Sequence, residues 1–274
     1  MEGIFAIWQR DLMKFVRDRP RLLGSFAMPI LFLIIFGGGF SGTMENLVMN
    51  QTSEIEDFNY LTFIFPGIVA MTLLMTSIFS SLSVIQDKEF GYMKEILVSP
   101  VSRVNIAIGK MLGASTVAFM QGVLMFILIP VLGVTYEWSN VLAVLPIMFL
   151  LSCTLASLGL LIASLLRSTQ GFQLIVQVLV FPMVFLSGAL FPVTNMPAWM
   201  DILVKVNPVT YGVDAMKKVM TGAGDLPVAA QDALGLNLQL FGRTVTVAEE
   251  LLFLIIFTSI LIALATISFR RANA

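Results

Sequence analysis

The sequence predicts an all-α integral membrane protein with six transmembrane helices, and its composition is the first reason. Of the 274 residues, 58% are hydrophobic and only 12% are charged, and the mean hydropathy is +0.93. Soluble domains are about half apolar and about a quarter charged. The composition therefore excludes a water-soluble fold.

Uncharged runs provide the second reason, because a bilayer core roughly 30 Å thick needs about 20 apolar helical residues for each crossing. Such runs occur at 22–44, 58–86, 111–136, 138–166, 168–200 and 251–269. We expect spans at about 22–42, 60–84, 105–133, 141–166, 171–191 and 251–270. No internal repeat is evident, so residues 1–274 are interpreted as one transmembrane domain.

The distribution of Lys and Arg is the third reason, since basic residues stay on the cytoplasmic side of a membrane. Twelve of the 16 lie in the N-terminus, the second and fourth connections and the C-terminus. The other four lie in the long fifth connection, residues 192–250, where the rule is weakest. Both termini are therefore predicted to be cytoplasmic, in a multi-pass protein of the cell membrane. The formal net charge of −1 indicates no nucleic-acid partner.

Before the first span, the sequence predicts an amphipathic helix in the membrane plane. The apolar residues at helical spacing are Ile4, Phe5, Trp8, Leu12, Phe15 and Val16. Trp8, Arg10, Lys14 and Arg17 are the candidate functional residues of this interface helix. Two compatible interpretations stay open: an anchor on membrane lipid with snorkelling basic side chains, or a helix that also contacts a cytoplasmic protein.

A second amphipathic helix is predicted on the same side, over residues 87–100 between spans two and three. Its apolar face consists of Phe90, Met93 and Leu97. Pro100 should end this helix, and Ser102 should cap the third span. Acidic and basic residues alternate between 87 and 95, so a protein surface fits the segment better than anionic lipid does.

The fifth connection begins with an apolar stretch that Pro192, Pro197 and Trp199 indicate to be broken and interfacial. After Asn207-Pro208, an amphipathic helix on the outer surface is predicted. Its apolar face consists of Val209, Val213, Met216 and Met220, and its polar face of Asp214, Lys217 and Lys218. Gly222 should end it, and weak alternation around Gly242-Arg243 indicates a small hairpin.

Several kinds of chemistry are missing from the sequence. Histidine is absent, and Cys153 is the single cysteine, so no metal site and no catalytic residue is expected. No ionisable residue lies in the middle of a predicted span, and we expect Lys110 to snorkel to the interface. Hydroxyl residues in span two, at Thr72, Thr76, Ser77, Ser80 and Ser81, are explained by helix packing more simply than by sodium binding. No Gly-rich phosphate loop is present, so any ATP must bind to another chain.

Two stretches resemble the permease family of type-2 ATP-binding-cassette (ABC) exporters, which includes drug, lipid and polysaccharide exporters. The first is Asp87-Lys88-Glu89-Phe90-Gly91-Tyr92-Met93-Lys94-Glu95-Ile96-Leu97-Val98-Ser99-Pro100-Val101-Ser102-Arg103, followed by Gly109-Lys110. The second is Leu186-Ser187-Gly188-Ala189-Leu190-Phe191-Pro192, then Met196-Pro197 and Asn207-Pro208 with Tyr211 and Asp214. With the predicted topology, the likeness covers nearly the whole chain.

The resemblance implies a dimer of permeases bound to two cytoplasmic ATPases, which would hold the ATP and Mg²⁺. It also implies a coupling helix that docks on the ATPase and a re-entrant outer gate. The candidate docking residues are Asp87, Lys88, Glu89, Phe90, Gly91, Tyr92, Lys94, Glu95, Leu97, Ser99, Pro100 and Arg103. The candidate gate residues are Gly188, Phe191, Pro192, Pro197, Trp199, Asn207, Pro208 and Tyr211.

The resulting hypothesis is an exporter permease, without enzymatic activity or a cofactor of its own, that moves an amphiphile out of the cytoplasm by alternating access. Its path would lie at a dimer interface formed by spans one, two and five. The alternatives are an ion-coupled or facilitative carrier and a membrane assembly factor that transports nothing.

Overall fold

The computed structural model describes residues 2–43, 59–92, 101–134, 136–191, 193, 196–222, 236, 238–240 and 243–271. The helices before the third predicted span are α1 (Glu2–Arg17), α2 (Arg19–Phe32, continued as a π-helix over Leu33–Gly39), α3 (Tyr60–Ser80) and α4 (Leu82–Glu89). The others are α5 (Arg103–Met125), α6 (Ile129–Leu132), α7 (Trp138–Leu165), α8 (Thr169–Phe185), α9 (Ala198–Val206), α10 (Pro208–Thr221) and α11 (Val247–Arg271).

The described residues are mostly helical, in agreement with the predicted all-α class. Within the described ranges, four helical stretches are long and apolar enough to cross a membrane: Tyr60–Glu89, Arg103–Leu128, Trp138–Leu165 and Val247–Ser268. Two further apolar helices, Gly24–Gly39 and Thr169–Phe185, are shorter. These two correspond to predicted spans one and five, so the count of six spans stays a prediction.

Helix α3 occupies the centre of the bundle and is buried along most of its length. It begins at Asn59, whose side chain accepts a hydrogen bond from the Thr62 amide at 3.2 Å, as an N-cap does. After a turn at Ser81, α4 continues the same helical stretch to Glu89. The second span was predicted to end near residue 84, and the helical stretch itself runs on to Glu89. Asp87, Lys88 and Glu89 therefore lie in the same helical stretch as the second predicted span, and Gly91 breaks the helix after them.

Helix α7 packs against α3, α5, α10 and α11, and α1 lies along α5. Small buried residues on α7, including Ser152, Ala156 and Gly159, let the neighbouring helices approach closely. A hydroxyl pair joins Thr154 on α7 to Thr258 on α11 at 2.7 Å. Cys153 is buried in the same region, as expected for a small apolar residue.

Helix α10 corrects the prediction of an amphipathic helix on the outer surface. The helix exists, but α3, α7 and α11 surround it, and its supposed polar face is inside the protein. Asp214 and Lys217 are both buried, because ionic and aromatic partners replace water around them. Gly222 ends the helix, as predicted. The predicted hairpin is also present, with β1 (Gln239–Leu240) antiparallel to β2 (Arg243–Thr244).

Candidate functional site

The last four residues of α4, Gln86–Glu89, contact four other helices and are here called the junction. The junction lies on the side of the bundle that carries α1, the start of α5 and the end of α7, which we call the basic side. The opposite side carries the start of α7, together with α9, α10 and the hairpin. Six of the twelve sequence-predicted docking residues lie in the junction or directly after it.

Asp87 is the ionic centre of the junction. Its carboxylate lies 2.7 Å from Nζ of Lys110 on α5 and 2.6 Å from Nη2 of Arg10 on α1. Lys110 also pairs with Asp11 at 3.0 Å, and its side chain is only 2% exposed. The prediction that Lys110 snorkels to the interface is therefore wrong, because two carboxylates pair with its charge inside the protein.

This ion cluster fixes α1 and α5 to the end of α4. Breaking a buried ion pair by removing one partner typically costs about 3–5 kcal/mol, because the other charge is left uncompensated. Burial alone would lower the pKa of Arg10, but Asp87 and Asp11 outweigh it and hold the pKa above its usual value. Lys14 adds a second tie between α1 and the junction, donating to Gln86 at 3.1 Å.

Lys88 binds the end of α7. Its ammonium donates to the carbonyl oxygens of Ala163, Ser164 and Leu166 at 2.8, 2.9 and 3.2 Å. The last four carbonyls of a helix have no partner within that helix, and the helix dipole makes this end negative. The Lys88 ammonium donates hydrogen bonds to these unpaired carbonyls and places a positive charge at the negative end of the helix. Lys88 therefore holds the C-terminus of α7 against α4.

Glu89 binds the start of α8 in the complementary way. Its carboxylate accepts from the Thr169 amide and from the Thr169 hydroxyl, both at 2.8 Å. The first amides of a helix are unpaired and its N-terminus is positive, so a carboxylate is favourable there. Ser168 also caps this helix through Gly171. Lys88 thus connects α4 to the C-terminus of α7, and Glu89 connects α4 to the N-terminus of the next helix, α8.

Beyond the junction the chain turns outward. Gly91 has a φ of +83°, a left-handed conformation that glycine adopts without steric cost. Phe90 and Tyr92 are 72% and 54% exposed, with their ring centroids 6.4 Å apart. Lys94, Glu95, Leu97, Ser99 and Pro100 lie outside the described residues, so the predicted docking helix itself is not described.

The chain resumes at the third span as predicted. The Ser102 hydroxyl accepts from the Asn105 amide at 3.2 Å, which confirms the predicted cap, and Arg103 is the first residue of α5. On α1, Trp8 donates to Thr116 of α5 at 3.0 Å, and Arg17 is exposed. The side of the interface helix that packs on α5 therefore carries Trp8 together with Asp11, whereas Phe5 and Val16 of the predicted apolar face are exposed.

The predicted gate residues that the structure describes lie on the opposite side, around a segment that connects α8 to α9. The Gly188 carbonyl accepts from Nζ of Lys217 at 2.7 Å, and the Leu190 carbonyl accepts from the Tyr60 hydroxyl at 3.1 Å. At Gly67 of α3, a Cβ atom would meet the Ala189 carbonyl oxygen at 2.1 Å, so only glycine fits there. The segment is held tightly against α3.

The remaining gate residues organise the helices around this segment. Asn207 donates to the Met183 carbonyl at 2.8 Å and accepts from the Val209 amide, capping α10, whose first residue is Pro208. The Tyr211 hydroxyl donates to the Lys205 carbonyl at 2.7 Å. Phe191 meets Phe36 edge to face, at 5.7 Å between centroids.

Two predicted gate positions precede α9, and a third lies on it. Pro197 directly precedes α9, and Trp199 on that helix is exposed, as expected of an interfacial residue. Pro192 lies outside the described residues.

Sequence reasoning missed the burial of the charges on α10. Lys217 is 2% exposed, and its Nζ lies 3.5 Å from the centroid of the Phe63 ring. Lys218 pairs with Asp214 at 2.8 Å and with Glu250 of α11 at 2.7 Å. Burial alone would lower the pKa of Lys218, but these two carboxylates hold it above its usual value. One signal in the sequence was available: Glu250 is an acidic residue directly before the last apolar run, where it could have been expected to pair with a buried basic residue.

Comparison with known proteins shows to which protein family the chain belongs. Residues 2–221 match the ABC-2 type transporter family, so the chain belongs to that family. It is 29% identical over 219 residues to the transport permease ycf38 of Cyanophora paradoxa, covering 79% of this chain and 73% of that protein. It is 26% identical over 221 residues to Nodulation protein J of Rhizobium meliloti (strain 1021), covering 80% and 81% of the two chains.

A third relative is the "Probable multidrug ABC transporter permease YbhR" of Escherichia coli (strain K12), 28% identical over 235 residues. The match covers 76% of this chain and 64% of YbhR. Family membership makes the chain the multi-pass transmembrane subunit of an ABC transporter system. ATP hydrolysis occurs in its ATPase partner, and this chain is not the ATPase.

Proposed function

We propose that this chain is the permease of an ABC exporter, with the basic side in the cytoplasm and the ATPase docked on residues 90–100. The observation that carries the proposal is the junction. It joins four helices of the membrane domain directly before a segment with two exposed aromatic residues. A force applied to that segment would reach α1, α5, α7 and α8 through charged contacts.

The membrane arrangement follows from the same orientation. Because six is an even number of crossings, both termini lie on the cytoplasmic side of the cell membrane. The shorter helices Gly24–Gly39 and Thr169–Phe185 are spans one and five. Their lengths correspond to roughly 24–26 Å at about 1.5 Å per residue, slightly less than a bilayer core of roughly 30 Å. Local thinning of the bilayer accommodates such a mismatch at modest cost.

A pair of permeases would complete the transporter. Spans one and five present exposed apolar residues, including Ile34 and Val178, which would meet lipid or a second copy. The closed segment around Gly188 would act as the outer gate, opening when ATP binding moves the junction. An amphiphilic substrate agrees with this apolar path and with the multidrug description of YbhR.

Copurification tests the docking proposal. Tagged protein would be isolated from its native membrane in mild detergent, with the ATPase partner identified by mass spectrometry and ATP hydrolysis measured. We expect Tyr92→Asp to reduce ATPase recovery at least about tenfold, since a hot-spot aromatic contributes about 2 kcal/mol or more. Trp138→Asp is the matched control, because Trp138 is 82% exposed on the opposite side.

Equal ATPase recovery in both variants would contradict docking at residues 90–100. Recovery of the intact wild-type protein with no ATPase would contradict the exporter proposal itself and favour a carrier or an assembly factor.

A further inference from the structure

A cavity of about 560 Å³ lies on the basic side, between α1, α2, α3, α4 and α5. Its volume falls within the range of about 300–1,000 Å³ typical of pockets that hold small ligands. The junction contributes Gln86 to its lining.

One end of the cavity carries a neutral polar network. Gln121 of α5 is 1% exposed, and its amide oxygen accepts from the Thr76 hydroxyl of α3 at 2.5 Å. Its amide nitrogen donates to the Ser25 hydroxyl of α2. These three residues come from three helices and all line the cavity. Amide and hydroxyl groups can exchange partners with a ligand hydroxyl without leaving a buried charge unpaired.

The remaining wall is mostly apolar and adaptable. Met28, Met71 and Met75 line it together with Phe79. Methionine is unbranched and polarizable, so it fits ligands of varied shape. Asp18 also lines the cavity but is exposed. The interior therefore suits an apolar chain with an uncharged, hydrogen-bonding head group.

The α2 wall can deform and faces outward. Pro29 lies inside α2, where proline removes a backbone hydrogen bond, and the helix continues as a π-helix over Leu33–Gly39. Met28 lines the cavity and is itself exposed. A ligand dissolved in the bilayer would thus reach the cavity by displacing α2 sideways.

We infer that this cavity binds an uncharged amphiphile with one apolar chain and a hydroxyl-bearing head group, as the site where substrate is taken up from the membrane. The assignment rests on the proposed exporter function. Gln86 belongs to the junction, precedes Asp87 in the sequence and accepts a hydrogen bond from Lys14. Because Gln86 also lines the cavity, a bound amphiphile contacts the junction directly. Binding of the amphiphile would therefore affect the junction, which directly precedes the segment on which the ATPase would dock.

The test uses the full permease–ATPase complex in lipid nanodiscs and 1-monolauroylglycerol as the probe. In a Cys153→Ala background, Met28→Cys supplies a thiol in the cavity, and its reaction rate with N-ethylmaleimide is measured. We expect saturable protection, reaching about tenfold at ten times the concentration that gives half occupancy. Leu31→Cys is the matched control: it is exposed on the same helix, does not line the cavity, and should show no protection.

Two further variants test the walls of the cavity. Met75→Trp fills the space and should abolish protection of Cys at position 28, with Met71→Trp as the replacement if the first variant is not recovered from the membrane. Gln121→Leu should raise the half-protecting concentration about tenfold, the equivalent of one lost hydrogen bond of about 1.4 kcal/mol. Laurate and dodecyltrimethylammonium, which carry the same chain and a charged head, should protect poorly.

Equal protection at positions 28 and 31, or protection that survives the tryptophan variant, would overturn the assignment. Equal protection by the charged probes would contradict the inference that the head group is uncharged. The ATPase content of each preparation separates the two proposals. Absence of protection in a complex that retains its ATPase contradicts the cavity and leaves the exporter proposal standing. Protection in a preparation without ATPase supports the cavity and contradicts the exporter.

Discussion

The basic side and the opposite side of this bundle both bury charged residues, but they use them differently. At the junction, charges join helices that are far apart in the sequence and then lead to exposed Phe90 and Tyr92. On the opposite side, Lys217 binds the segment around Gly188 that packs against α3, and Lys218 joins α10 to α11 through Glu250. The first arrangement is suited to transmitting force, and the second to holding a barrier closed.

The largest expected effect of a single substitution lies at the centre of the junction. Asp87→Ala leaves Lys110 buried beside only one carboxylate, so we expect a loss of about 3–5 kcal/mol in the free energy of unfolding. Reversible unfolding in mixed micelles measures it. Adding Lys110→Met should recover part of the loss, because no uncompensated ammonium remains.

Asp201→Ala is the control for this experiment, since Asp201 forms an exposed ion pair with Lys205 worth about 0–1 kcal/mol. If both substitutions had the same small effect, the junction would not be an ionic centre.

The next effect tests the closed side. Lys217→Met removes the hydrogen bond to the Gly188 carbonyl and the contact with Phe63, so we expect a loss of about 1–3 kcal/mol. The segment at residues 186–191 should also exchange its amide hydrogens faster, which mass spectrometry detects. Lys205→Met, at a half-exposed position on the same side, should change neither quantity. Unchanged exchange in Lys217→Met would contradict its role in closing the segment.

The smallest effect on stability is expected at the contact that we consider most important for coupling. Glu89→Gln keeps the shape of the side chain and weakens two charge-assisted hydrogen bonds at an exposed position, so we expect only a small loss in the free energy of unfolding. The variant should retain its ATPase partner in copurification, because Glu89 contacts Thr169 within this chain. Loss of the partner would instead make Glu89 a docking residue, as the sequence alone suggested.

The sequence was sufficient to predict the helical membrane fold, the Ser102 cap, the end of α10 at Gly222 and the hairpin. The fold depends on composition and on long uncharged runs, and the other three features depend on residues within one helical turn or one strand pair. The pairing of Lys110 with Asp11 joins positions 99 residues apart, and nothing local in the sequence indicates it. The burial of α10 was missed for a similar reason: its amphipathic pattern was correct, but its polar face found partners inside the protein.

Amide hydrogen exchange in the reconstituted permease–ATPase complex tests the central claim most directly, with and without ATP plus vanadate. Residues 163–172 contain the helix ends held by Lys88 and Glu89. If the junction transmits the motion, the nucleotide changes exchange there in the wild type, and Glu89→Gln and Thr169→Val each largely remove the change at the start of α8. The same nucleotide response in all three proteins would contradict transmission through the junction.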